Sequence, residues 1–258
     1  MAKTEIQNNT VDLFYELVRT DFVLRYRNSV LGFGWVLLKP FLLFTVLLVV
    51  FSWFFQARDP HYRYNLLLGV LIYSYFSEST QRGVVSLFEK ASIILKVNFP
   101  KVLTIYTSVF NSFISFLASF LVYLVFWIFT KPAGTIFDPS YFLLQIFSLT
   151  CLIAGLNFFL SIAFIFLRDL ASIWEVLLRL LFYATPIIYP TGIIPDRFKL
   201  FFFLNPIAGI ITESRKAIIG GGSYSWSQTI FTMIISLLVL FAGYRFFNSK
   251  VKYVAERF

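Results

Sequence analysis

PIIYPTGIIPDRFKLFFFLNPIAGIITESRKAIIGGGSY, residues 186–224, fits neither of the two simplest readings of an apolar stretch. It is too rich in Ile, Leu and Phe for a loop washed by water, and too often interrupted for one helix crossing a bilayer. Pro186, Pro190, Pro195 and Pro206 each lack a backbone donor, and the glycines at 220, 221 and 222 end whatever helix precedes them. Two short helices remain, at 196–204 and 206–219. Irregular apolar backbone is tolerated at membrane depth only where protein covers it or where it lines a cavity. The stretch therefore predicts a re-entrant helical hairpin at the mouth of a path. The alternative is an amphipathic hairpin lying on the membrane surface.

The rest of the chain supports a membrane setting. Of 258 residues, 59% are hydrophobic and 34 are Phe, which excludes a soluble domain. Residues 1–21 show no short apolar core with a small-residue cleavage site, so insertion is expected to use the first spanning helix. The lone cysteine, Cys151, lies in an apolar run and has no partner for an intrachain disulfide. A formal charge of +9 does not call for nucleic acid here. In a polytopic chain it reflects the retention of Lys and Arg on the cytoplasmic side and attraction to anionic lipid.

The fold class predicted is all-α, with six transmembrane helices in a single domain. Residues 10–27 put Val11, Phe14, Val18 and Phe22 at helical spacing, which suits an interfacial amphipathic helix or a soluble cap helix. Spans follow at 31–55, 65–85, 102–130, 141–167, 170–189 and 226–247. The second is the least apolar and ends on Glu78 and Arg82, four apart in the order that favours a local pair. Residues 86–101 are too polar to span and apolar enough to dock, so they read as a short helix pressed into a partner or as an interfacial loop. Asn157 in the fourth span is expected to bond another helix. Glu175 and Arg179 repeat the four-residue spacing in the fifth. With both termini cytoplasmic, fifteen Lys and Arg lie inside and seven outside, which leaves the hairpin outside.

The sequence also excludes several chemistries. There is no G-x-x-x-x-G-K-[ST] cradle for ATP, and the only histidine, His61, has no companion ligands at metal spacing. Neither a catalytic nor a metal site is expected, and energy must come from another chain. Aromatic residues make up 21% of the chain. Packing and lipid contact account for most Phe. Tyr and Trp combine a ring face with a polar handle, which suits sugars sliding along a polar path. Candidates for that path are Tyr73, Tyr106, Tyr123, Tyr183 and Tyr189, with Tyr75 and Trp127 near them.

Four segments carry a family likeness: DFVLRYRNSVLGFGWVLLKP at 21–40, NFPKVL at 98–103, FLRDLASIWEVLLRLLFYATPIIYP at 166–190 and LNPIAGIITESRKAI at 204–218. In order and spacing they resemble the membrane permease of type-2 ABC exporters, in particular the Wzm-like permeases of lipid-linked O-antigen, capsule or teichoic acid. The resemblance implies a homodimer in the bacterial inner membrane. Two copies of a cytoplasmic ABC ATPase would hold the ATP and Mg, and an undecaprenyl-linked glycan would pass through a channel at the dimer interface. It assigns an interface helix and first-span motif to Arg25, Tyr26, Arg27, Gly32, Trp35 and Pro40. ATPase coupling falls to Glu89, Lys90, Lys96, Arg168 and Asp169. Outer gate helices at 190–222 include Pro190, Asn205, Pro206 and Arg215, with Pro186 just before. The other readings are an intramembrane enzyme acting on lipid-linked sugars, which would need paired acids or a metal, and a permease of the same superfamily moving drugs or lipids.

Overall fold

A computed structural model describes residues 2–27, 29–56, 59–91, 99–130, 132, 134–135, 137–220 and 222–254; for 2–10, 26 and 252–254 it describes the backbone alone. Among them there are nine α-helices and no strands. In chain order they are α1 (Ala2–Tyr26), α2 (Gly34–Phe55), α3 (Tyr62–Glu89), α4 (Val102–Thr130), α5 (Pro139–Phe166), α6 (Leu170–Ala184), α7 (Asp196–Leu204), α8 (Pro206–Ile219) and α9 (Trp226–Val254). A single 3-10 turn, Thr191–Ile193, separates α6 from α7.

Four helices, α2, α4, α5 and α9, are long and apolar enough to cross a membrane. The other two expected spans differ for physical reasons. Helix α3 has the length, at 28 residues, but it carries Arg63, Glu78, Arg82 and Glu89 and is apolar chiefly from Leu66 to Phe76. Helix α6 stops after 15 residues, because Thr185 turns extended before Pro186. At 1.5 Å per residue it is about 22 Å long, short of the ~30 Å hydrocarbon core.

Helices α3 and α5 form the centre. Helix α3 packs against α2, α4, α5, α6 and α8, and α5 shares its largest contact with α9. Leu66, Leu68, Val70 and Ile72 of α3 and Leu149, Ile153 and Phe158 of α5 are sealed from solvent. The α5–α9 seam is set by two glycines. A Cβ at Gly243 would sit 2.3 Å from the Gly155 carbonyl oxygen, and one at Gly155 would sit 2.6 Å from the Leu240 nitrogen. The backbones therefore touch, as helices do where lipid supplies no hydrophobic drive and close packing must bind them. Asn157 confirms its expected role by donating to Ser79 O across to α3 (3.2 Å).

Helix α1 lies along α4. Its inward positions are 13, 14, 17, 18, 21, 22 and 25, which keeps the helical period. Val11, expected on that stripe, is instead 49% exposed. Phe14 meets Phe110 (5.6 Å between ring centres), and Asn111 donates to Val18 O (3.3 Å).

Candidate functional site

The two ends of the bundle carry different chemistry. At one end the termini of α3, α5 and α9 meet the starts of α4 and α6. Glu89, Arg168 and Asp169 are exposed there, and the Arg168 guanidinium lies 3.9 Å over the Phe88 ring. Thus the end of α3 and the α5–α6 turn, which are 80 residues apart, form one surface. The segment expected at 86–101 begins inside α3, which runs on through Glu89 because Ser86 and Leu87 bury into the bundle.

Lys90 requires a correction. Its ammonium is buried, donating to Asp21 Oδ2 (2.5 Å) and Thr107 Oγ1 (2.7 Å). It fastens α1 to α4 and is not open to a partner, because a buried cation is retained only when paired and bonded. Lys96 and the Tyr26 side chain lie outside the described residues.

At the opposite end, the short helices have the bounds their prolines and glycines dictate. Asn205 caps α8: its Oδ1 accepts from the Ile207 and Ala208 amides (3.0 and 3.4 Å), and Pro206 fills the first helical position. The Asn205 amide also donates to Thr185 (3.2 Å). Arg215 spreads its guanidinium over three carbonyls, Asn65 (3.0 Å), Pro186 (2.7 Å) and Ile187 (2.8 Å). The residue as a whole is half-buried, with its charged head bonded to all three carbonyls. Glu213, 2% exposed, accepts from Tyr141 (2.8 Å), the Ser225 amide (3.0 Å) and Lys216 (2.7 Å). Helix α8 is thus held on all sides. Helix α7 packs against α8, stacks Phe203 on Phe231 of α9 (5.1 Å between ring centres), accepts at the Phe203 carbonyl from Gln228 (3.1 Å) and presents Leu200, Phe201 and Leu204 outward. Pro186 is buried and Pro190 half-buried.

The path tyrosines separate. Tyr73 is interior, with its hydroxyl donating to Leu178 O and its ring against Phe182 (5.2 Å). Tyr123 is completely buried. Both are thereby withdrawn from a path along the surface of the chain. Tyr75 is also buried, against Thr150 (3.1 Å). Tyr106 and Tyr183 are exposed, and half-buried Tyr189 donates to Tyr183 O (3.1 Å).

A polar cavity lies between α2, α3 and α4 and measures about 610 Å³. The first-span motif converges on it. Gly32 takes the left-handed conformation (φ +48°) to close a turn in which its amide meets Ser29 O (3.1 Å) and Ser29 Oγ (3.2 Å). That turn directs Trp35 and Pro40 to the cleft wall. Arg25 reaches in from α1, donating to Ser115 (3.1 Å) and pairing with Glu78, which also accepts from Arg82 (3.3 Å). The predicted Glu78–Arg82 pair is present, and Arg25 joins it from 53 positions away in the chain. Lys39 lines the same wall, whereas Arg27 is exposed on the α1–α2 turn. The sequence reading missed the serines. Ser112, Ser115 and Ser119 on α4 face Ser74 and Ser77 on α3. Their spacing of three and four, unusual in an otherwise apolar span, was the available signal.

No protein-family model matches the chain. Individual proteins do, over nearly the whole length. The O-antigen export system permease protein RfbA of Klebsiella pneumoniae is 27% identical over 94% of this chain and 93% of its own. Its namesake from Myxococcus xanthus is 28% identical over 95% and 94%. The polysialic acid transport protein KpsM of Escherichia coli is 22% identical over 95% of each. Over nearly its whole length the chain is similar to polysaccharide-export permeases. The similarity covers 94–95% of the chain and so includes both the cleft and the outer hairpin.

Proposed function

We propose that this permease is the membrane subunit of an ATP-driven exporter that moves an undecaprenyl-linked polysaccharide out of the cytoplasm. Two copies pair in the inner membrane with both termini cytoplasmic, each bound to a separate ABC ATPase that carries ATP and Mg. Six passes are completed by α3 and by α6 with the broken stretch after it. The polymer runs along the interface between copies, past Tyr106, Tyr183 and Tyr189, and leaves beneath the α7–α8 hairpin. Coupling to the ATPase uses the surface of Glu89, Arg168 and Asp169.

The near full-length similarity to O-antigen export permeases carries this reading. It is supported by the placement of Glu89, Arg168 and Asp169 at one end of the bundle and the hairpin at the other. Deleting the gene in the source organism tests it. Surface polysaccharide should disappear while lipid-linked polymer accumulates inside the cell, and unchanged surface polysaccharide would overturn the reading.

A further inference from the structure

We propose that the groove between α4, α5 and α9 seats one acyl chain of an anionic phospholipid, with its head group at the Lys101 end of the bundle. The site is independent of the transport reading, with which it shares only Tyr106; a lipid seated here leaves the polymer to Tyr183 and Tyr189.

Helix packing makes the groove. Helices α4 and α5 both lie closely on α3 but touch each other far less, so a space of about 610 Å³ stays open between them. Leu240 of α9 and Phe14 of α1 complete its wall. Along α5 the groove runs from Leu143 to Ala154, a rise of about 16 Å at 1.5 Å per residue. That is the depth of one leaflet of a hydrocarbon core ~30 Å thick. All three helices are long and apolar enough to cross such a core.

The lining suits hydrocarbon and not water. Phe113, Ile146, Cys151 and Ala154 form the interior, and exposed Phe110, Leu143 and Phe147 open it to the surroundings. The Thr150 hydroxyl donates to Ile146 O (2.8 Å) and so accepts from the Tyr75 hydroxyl (3.1 Å), which leaves it no proton for a guest. A water needs two or more polar partners, and this wall does not supply them.

Charge decides which lipid, and which way it lies. Helices α4, α5 and α9 contain no Asp or Glu. Just before α4, the Lys101 ammonium donates to Val251 O of α9 (3.4 Å). Val251 follows Leu240 by three turns on the same face of α9, so Lys101 lies in line with the groove. Arg245 and Lys250 are exposed in the same last turns of α9. Only α1 brings acids near, Asp12 and Glu16 beside Phe14, and Glu16 is paired with Arg19 (3.8 Å). A phosphodiester at Lys101 therefore meets cations, while its chain follows the groove into the bilayer.

Photolabelling of the full-length chain in phosphatidylcholine vesicles tests the proposal, using phosphatidylglycerol with a diazirine midway along one acyl chain. Label should concentrate on Phe113, Phe147 and Cys151, severalfold above Leu238, which is exposed elsewhere on α9. A phosphatidylcholine probe with the same chain should label the groove severalfold less. Ala154→Phe, which fills the groove, should remove most of its label and leave that at Leu238. Lys101→Gln, outside the packed interior, reads the site even where Ala154→Phe fails to fold, and should cut the preference for phosphatidylglycerol about fivefold, the weight of one cation near an anionic surface. Equal labelling of the groove and Leu238 would reduce the site to ordinary boundary lipid and overturn it. Equal labelling by the two probes, or a preference unchanged in Lys101→Gln, would overturn the assignment to an anionic lipid. Groove labelling that vanishes when the chain dimerises would give the space to a second copy and likewise overturn the proposal.

Discussion

Replacing Arg215 by alanine should weaken the attachment of the outer hairpin to the bundle. The guanidinium joins α8 to the first turn of α3 and to the turn after α6 through three bonds of 2.7 to 3.0 Å. The Asn65 carbonyl also serves the α3 ladder, so its loss is minor. The Pro186 and Ile187 carbonyls lie in a non-helical turn of buried residues and would be stranded, at about 1–3 kcal/mol each. Relief of the arginine's own desolvation offsets part of this, leaving about 2–5 kcal/mol, a drop in Tm on the order of 10 °C. Thermal unfolding in detergent measures it, and trypsin cleavage at exposed Arg197 and Lys199 reports loosening of α7. Gly69 gives an independent check, because a Cβ there would lie 2.7 Å from Arg215 Nη2. Gly69→Ala should therefore destabilise the wild type and cost far less once Arg215 is alanine. An Arg215→Ala protein melting within about 2 °C of wild type, or a Gly69→Ala cost that is the same in both backgrounds, would refute the reasoning.

Two further outcomes follow from the packing and the caps. Gly243→Leu should cost more than Gly243→Ala, which itself should cost about 1–3 kcal/mol, because the new carbon meets the Gly155 backbone and not a side chain able to move; equal melting of all three proteins would remove the glycine seam. Asp138 caps α5, and the Ser140 hydroxyl and Tyr141 amide hold its carboxyl below the usual carboxylate range. A lowered folded pKa means stability present at neutral pH and lost as pH falls through that value, so the Tm difference between wild type and Asp138→Asn should shrink below about pH 4. A difference that is constant from neutral to acid pH would exclude this contribution.

Secondary structure in the hairpin could be read from the residues because its determinants are local. Asn205-Pro206 is a cap followed by a first-turn proline, and Gly220 takes a positive φ after the last turn of α8. The four helices long and apolar enough to cross a membrane were equally legible, since 20 or so apolar residues have few other fates in a long helix. The length of α6 was not, because the apolar run continues to Tyr189 while Thr185 and Pro186 turn the backbone.

Side-chain roles depended on neighbours far away in sequence. A lysine in a mixed polar segment reads as exposed, yet Lys90 is claimed by Asp21 and Thr107. Tyrosines in a span read alike, yet Tyr73 and Tyr123 are interior while Tyr106 and Tyr183 are exposed. The amino-acid sequence by itself determined a helical membrane chain, its helix-breaking points and its family resemblance, because hydropathy and backbone restriction act over one helix or less. Only the tertiary structure decided that Arg25, Lys39, Glu78 and Arg82 meet across two helices and an N-terminal arm. Charge balance and burial are properties of that assembled cleft, and no window of sequence contains it.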